Sequence, residues 1–347
     1  MVWLLCMLFC IVPLSAQSPY FDQSFRQESI KSVNDSLFLL LDKDSLPKAY
    51  FQDVIMPVCM DTLCKPVYMS LFWDLSGNYL EYRIDEKLPL TKLDHKPFLP
   101  EDYRRLHSIL SNKNSILQKY SEETIATLLK REPGSEKSRV DAISGATPYE
   151  IKQETVEGAL STCHTLWHYC YGEVQAVLRE YTENRLLNEE LVRWMINSGN
   201  EGLILYGMKY LEAYELLLFQ SELLLAIRGN SPSLANQVLS RLPTDMINNE
   251  EFARSIWDLY RILHPSTQEQ QLVKLRENTC LPASVIDEMA MASLYTREDQ
   301  FVLFMEVFLS QKCLSPTQDK QVRHSLDQRK SSLSKKALET LKDFVEQ

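Results

Sequence analysis

Glycine is scarce, with 9 in 347 residues, and that argues against a sheet-rich fold full of tight turns. None of these glycines builds a P-loop, a dinucleotide-binding turn or a nucleophile elbow, and no zincin helix is present. Ordinary hydrolase chemistry therefore has no visible constellation. Cys-x-x-Cys-His is absent as well, so a covalent c-type haem is not supported. Positive charge is in deficit: 37 Lys and Arg stand against 47 Asp and Glu, a net charge of -10. A nucleic-acid partner has no electrostatic support, and an acidic membrane surface is disfavoured for the same reason.

What is present is ordinary globular material, 45% hydrophobic and 24% charged, in a chain long enough for two domains. Met1-Val2-Trp3 and the apolar run Leu4 to Leu14 read as a signal peptide over 1–16. Ser15 and Ala16 supply small residues for cleavage before Gln17, although the n-region carries no Lys or Arg. No lipobox leads into Cys6 or Cys10. The expectation is an exported, periplasmic or extracytoplasmic protein with no membrane span after cleavage, because the run is too short to cross a bilayer comfortably.

Six cysteines then remain: Cys59, Cys64, Cys163, Cys170, Cys280 and Cys313. An oxidising compartment permits disulfides. Cys59 and Cys64 fit a redox pair, a metal pair or a structural staple; a local disulfide is the leading reading, since thioredoxin-like chemistry needs two intervening residues. Cys163 and Cys170 on one helix are separated by about 10.5 Å along its axis, beyond the roughly 7 Å reach of a disulfide. Either is free to meet Cys59 or Cys64.

Apolar Ile30, Val33, Leu37 and Leu41 recur at a helical spacing and predict a helix over 24–41. Val67–Trp73 and Tyr79–Ile84 read as a hairpin, with Pro66 before it and Gly77-Asn78 in the turn. A helix follows around 101–111, then a polar loop at 131–137, and then the longest helix of this half, from Pro148 to Tyr171. After Gly172 the texture changes to Leu-, Met-, Glu- and Arg-rich runs punctuated by Asn, Gly and Pro. Helices are expected near 173–185, 188–197, 200–211, 213–228, 231–241, 249–263, 267–277, 283–294, 297–311, 317–328 and 331–346. Short connections suggest an α-solenoid of antiparallel pairs, loosely HEAT-like, with an irregular bundle as the structural alternative.

Asp141-Ala142-Ile143-Ser144-Gly145-Ala146-Thr147 runs straight into the helical pattern at Pro148. Hydroxyls, a side-chain-free glycine and the unpaired N–H groups of a helix start together favour a phosphate. The stretch resembles the flavin-attachment motif of FMN-binding domains in exported redox proteins, such as the flavin subunits of sodium-pumping quinone reductases and Rnf-type complexes. That resemblance implies FMN esterified to Thr147, a phosphate turn shaped by Ser144, Gly145 and Ala146, and recognition of Asp141 by a flavin transferase. It covers the motif and its following helix. Where the family continues with Thr-Ser, this chain has Tyr149-Glu150, which removes a hydroxyl and adds a negative charge. Thr147-Pro148-Tyr149-Glu150 also reads as a capping box with proline at the first helical position. Cap and phosphoester compete for one hydroxyl.

His164 and His168 lie four apart on one helix face, a weak metal-ligand spacing set against a packed histidine beside Trp167. His95, between Asp94 and Lys96, reads as polar trim rather than a site residue. The expected fold is α+β: an FMN-binding-like domain with an antiparallel sheet over 17–172, then an all-α solenoid-like domain over 173–347. The expected function is electron transfer with a redox partner. The competing expectation is a non-catalytic interaction or scaffold protein whose FMN-binding-like domain has lost its cofactor.

Overall fold

The computed structural model describes residues 25–30, 37–57, 66–85, 87–92, 95–125, 151, 153–229 and 231–341. The chain divides into two compact units at Leu187/Asn188. The first holds an antiparallel five-stranded meander in the order β1 (Arg26–Ser29), β2 (Leu37–Leu41), β3 (Pro47–Met56), β4 (Val67–Trp73) and β5 (Tyr79–Ile84). Three described helices belong to it: α1 (Pro100–Ser111), α2 (Leu160–Tyr171) and α3 (Glu173–Tyr181). The second unit holds helices joined by turns and loops, with no strand among its described residues.

The hairpin predicted from Pro66 and Gly77-Asn78 is β4–β5. The helix expected over 24–41 is not there: Arg26–Ser29 and Leu37–Leu41 are strands that pair antiparallel. The spacing of Ile30, Val33, Leu37 and Leu41 fits a helix, but Leu37-Phe38-Leu39-Leu40-Leu41 is continuously apolar. A run of that kind is satisfied by a strand with neighbours on both sides. Cross-strand pairing fixes the register on each face. On one face Phe38, Phe51 and Phe72 stand opposite one another, their rings stacked 4.9 and 5.6 Å apart. On the other, Leu39, Tyr50 and Trp73 align and meet the helices. There the Trp73 indole donates to the Cys170 carbonyl at 3.0 Å, and the Tyr169 hydroxyl donates to Gln52 at 2.8 Å.

The long helix expected from Pro148 to Tyr171 is interrupted. Ile151 and Gln153 are helical, but α2 begins only at Leu160, after a turn at Gly158 with φ of 73°. That left-handed position suits glycine and stops the helix. The first unit also extends past Gly172, because α3 and the turn Thr182–Leu186 are bonded back to the sheet. The Tyr50 hydroxyl meets Thr182 at 2.6 Å, and Thr182 donates to the Leu75 carbonyl at 2.7 Å.

In the second unit, polar caps and prolines set the boundaries. The helices are α4 (Glu189–Ile196), α5 (Glu201–Lys209), α6 (Gln220–Gly229), α7 (Pro232–Arg241), α8 (Glu250–Leu259), α9 (Pro265–Leu275), α10 (Ala283–Ser293), α11 (Glu298–Ser310), α12 (Pro316–Lys330) and α13 (Lys335–Thr340). Asn188, Asn200, Ser231, Asn249, Ser315 and Ser334 each accept a backbone N–H near the start of their helix. Pro232, Pro265 and Pro316 occupy the first helical position. The single helix expected over 213–228 is three pieces: Ala213–Leu216, the 3-10 turn Leu217–Phe219, and α6. A short helix at Thr244–Asn248 has no counterpart in the sequence reading. Helix α4 packs on α5 and α6, α6 on α7 and α8, α8 on α10, and α10 on α11 and α12. In parallel, α5 packs on α7, α7 on α9, α9 on α11, and α11 on α13.

Cys280 and Cys313 are joined, tying the loop after α9 to the loop after α11. The same loops share backbone and side-chain bonds: Lys312 N–H to the Thr279 carbonyl at 2.7 Å, and Leu281 N–H to Gln311 Oε1 at 2.8 Å.

Candidate functional site

The attachment-motif residues Asp141, Ser144, Gly145, Ala146 and Thr147 lie outside the described residues, as do the signal-peptide residues, Cys59 and Cys64. The chain on either side of the motif is described. Before it, Ile125 is buried; after it, Ile151 is buried and the Glu154 carboxylate accepts a bond from Asn112 Nδ2 at 3.1 Å. Asn112 follows the end of α1 and also receives the Trp167 indole N–H on its carbonyl at 2.9 Å. Asn112 thus ties the end of α1 to α2 and to the segment that precedes it.

A cavity of about 250 Å³ opens beside that junction, lined by Lys113, Trp167, His168, Tyr171, Gln175 and Arg179 among others. Helical spacing on α2 puts Trp167 and Tyr171 on one face, their rings 4.9 Å apart, with the His168 ring 5.2 Å from Trp167. Each wall is held by a bond to a carbonyl. Tyr171 donates to Leu110 at 2.7 Å, Gln175 to Gly77 at 2.9 Å and Arg179 Nε to Ser76 at 2.7 Å. Burial pushes the Tyr171 hydroxyl upward, so it stays a neutral donor. Neither Lys113 nor Arg179 has an ion-pair partner among the described residues. Two cations beside two aromatic rings make a cavity chemically matched to an anion with a planar aromatic part.

The hairpin turn props this wall. Buried Asp74 accepts the Ser76 N–H, the Ser76 hydroxyl and the Asn78 N–H at 2.9, 2.7 and 2.9 Å, while burial pushes its carboxyl upward against those bonds. Gly77 has φ of 74°, and a Cβ there would lie 3.0 Å from both Gln175 Cγ and the Gln175 carbonyl oxygen. Gly77→Ala should therefore destabilise the protein by about 1–3 kcal/mol in urea unfolding. Gly199, with φ of 70° and nothing within 4 Å, is the control. Gly199→Ala should cost less, because only the backbone is strained.

His164 and His168 come together on α2 with rings 4.3 Å apart, but their Nε2 atoms are engaged with carbonyls, Tyr120 at 2.8 Å and Leu117 at 3.1 Å. Among the described residues no group of three or more His, Cys, Asp or Glu is placed to hold a metal ion. Burial is the main cause holding His164 below the usual imidazole range. The unfolded chain therefore takes up this proton more readily than the folded one. Stability present at pH 7 should fall as pH drops through about 6.5, by up to about 1.4 kcal/mol per pH unit. Denaturation curves between pH 7.5 and 5.5 test this, and His164→Gln should flatten the slope. Cys163 and Cys170 are free and fully buried; burial pushes Cys163 to about 12 and Cys170 upward too, so neither supplies a thiolate near neutral pH.

Lys113, Tyr171, Gln175 and Arg179 were not foreseen as site residues. They come from separate segments, and the only sequence signal was the i, i+4 aromatic pair on α2. Comparison with protein-family models, with curated proteins and with solved structures gives no match. Among the described residues, no helix is long and apolar enough to cross a membrane.

Proposed function

We propose that the chain is an exported electron-transfer module carrying FMN esterified to Thr147 by a flavin transferase, with Ser144, Gly145 and Ala146 forming the phosphate turn and Asp141 read by the transferase. The observation that supports this reading is the cavity of unpaired cations and aromatic rings beside α2. Glu154, seven residues after Thr147, is bonded to Asn112, the neighbour of the lining residue Lys113. Seven residues span at most about 25 Å, which bounds the separation of Thr147 from Glu154. Bound FMN would supply one-electron relay to a redox partner. Lys113 and Arg179 would hold its negative charge, while the contacting Trp167 and Tyr171 rings would line one side of its ring system and exclude water.

The second unit supports the helical-array reading. Successive helices of one row start at Glu189, Gln220, Glu250, Ala283 and Pro316, recurring every 30 to 33 residues. Each packs on the next of its own row and most pack on a helix of the other, as stacked helix pairs do. That period is shorter than the ~40–47 residues of HEAT arrays and nearer the ~34 of tetratricopeptide arrays.

A second reading, an interaction or scaffold protein without cofactor, is favoured by exposed large apolar residues of the second unit, among them Tyr214, Leu218, Leu225 and Met291. Secretion of the chain in cells holding a flavin transferase separates the two. Yellow colour that stays with acid-precipitated, denatured protein supports the flavoprotein. Colourless protein supports the scaffold.

A further inference from the structure

The second unit contains a larger cavity, about 410 Å³, walled by Tyr260, Arg261, Gln268, Tyr295, Arg297 and Gln300 among others. Tyr260 is only 5% exposed, yet its hydroxyl is buried with no hydrogen-bond partner among the described residues. Buried hydroxyls are nearly always bonded, so this orphan at a cavity wall leaves a donor available to whatever enters the cavity. The neighbouring amides are committed elsewhere. Gln300 Nε2 donates to Gln268 Oε1 at 3.1 Å, and Gln268 Nε2 donates to the Tyr260 carbonyl at 2.8 Å.

Charge narrows the ligand. Arg297 is neutralised by Glu269 at 2.5 Å and Asp299 at 3.0 Å. Arg261 forms no direct ion pair among the described residues, although its charge is felt by the Glu288 carboxylate, so its guanidinium is open to a further acceptor at the cavity. Burial pushes the Tyr260 hydroxyl to about 12, which keeps it a proton donor at neutral pH. A guanidinium and an unpaired hydroxyl together call for accepting oxygens with negative charge. The lining also holds apolar surface: Pro265 and the Tyr295 ring, whose side chain is 85% exposed. A small free acid would leave the exposed Tyr295 ring unused, whereas a peptide would cover it.

We propose that this cavity binds the carboxylate of a Glu or Asp side chain in an acidic peptide segment of another protein. Arg261 pairs with the carboxylate, Tyr260 donates a hydrogen bond to it, and Tyr295 packs on an apolar neighbour in the peptide. The site is independent of any flavin at Thr147.

The test uses the immobilised full chain and two soluble octapeptide pools with random flanks, one with glutamate fixed at the centre and one with glutamine, read by mass spectrometry. The glutamate pool should be retained about tenfold over the glutamine pool. Tyr260→Phe, which keeps the ring, and Arg261→Gln should each abolish most of that ratio while melting curves show both variants folded. Equal retention of the pools, retention of neither, or an unchanged ratio in Tyr260→Phe overturns the proposal. Displacement of the glutamate pool by an equal concentration of free N-acetylglutamate overturns the peptide assignment.

Discussion

Thr147→Ala should abolish covalent flavin completely while leaving the protein folded. A phosphoester needs the threonine oxygen, and alanine offers no other nucleophile at that position. A capping box uses the same oxygen but answers differently: its loss costs about 1 kcal/mol of stability and changes no mass or colour. The two roles therefore separate on two readouts, absorbance of the denatured protein and the midpoint of thermal unfolding. Glu150→Gln sharpens the contrast. Removing its charge should leave a phosphoester in place or favour it, since a carboxylate repels phosphate, whereas a glutamine still completes a capping box.

The largest stability effect should come from the disulfide. Cys280 and Cys313 are 33 residues apart, and releasing a loop of that length relaxes the unfolded chain by about 3–4 kcal/mol on a chain-entropy account. The paired variant Cys280→Ser/Cys313→Ser should lose about that amount while still folding. Lys312, Leu281 and Gln311 still hold the two loops together by hydrogen bonds, and these keep the native state intact without the covalent link. Urea midpoints of the variant and of the wild type under reducing conditions should agree. A variant as stable as the oxidised protein would show that the bridge contributes nothing.

Local signals in the sequence carried much of the fold. Asn, Ser and Pro at helix starts have one dominant physical use, so the helices of the second unit were legible at their N-termini. The β4–β5 hairpin was legible because Gly77-Asn78 suits the turn that joins it. Strand β2 was misread because Leu37 and Leu41 satisfy a four-residue period that only pairing with β3 could override. The start of α2 was misread because an apolar pattern ran through Gly158 unbroken, while the glycine's left-handed backbone depends on tertiary context. The extent of the first unit was hidden for a similar reason. Thr182 looks like any helical threonine until Tyr50 and the Leu75 carbonyl are seen on either side of it.

The sites divide differently. The motif at 141–147 is continuous in sequence and could be read directly. The cavity beside α2 draws Lys113, Trp167, Tyr171, Gln175 and Arg179 from three segments, and of these the sequence singled out Trp167 alone, as a packing partner. Cys280 and Cys313 gave no hint of pairing, since 33 intervening residues leave the geometry to the packing of α9 through α12.

The most direct measurement is the mass of the tryptic peptide Val140–Lys152 from wild-type chain secreted in cells that hold a flavin transferase. The account predicts a peptide heavier by FMN less one water, with fragment ions placing the addition on Thr147. The same peptide recovered wholly at its unmodified mass, from cells whose transferase flavinylates a control protein, would contradict it.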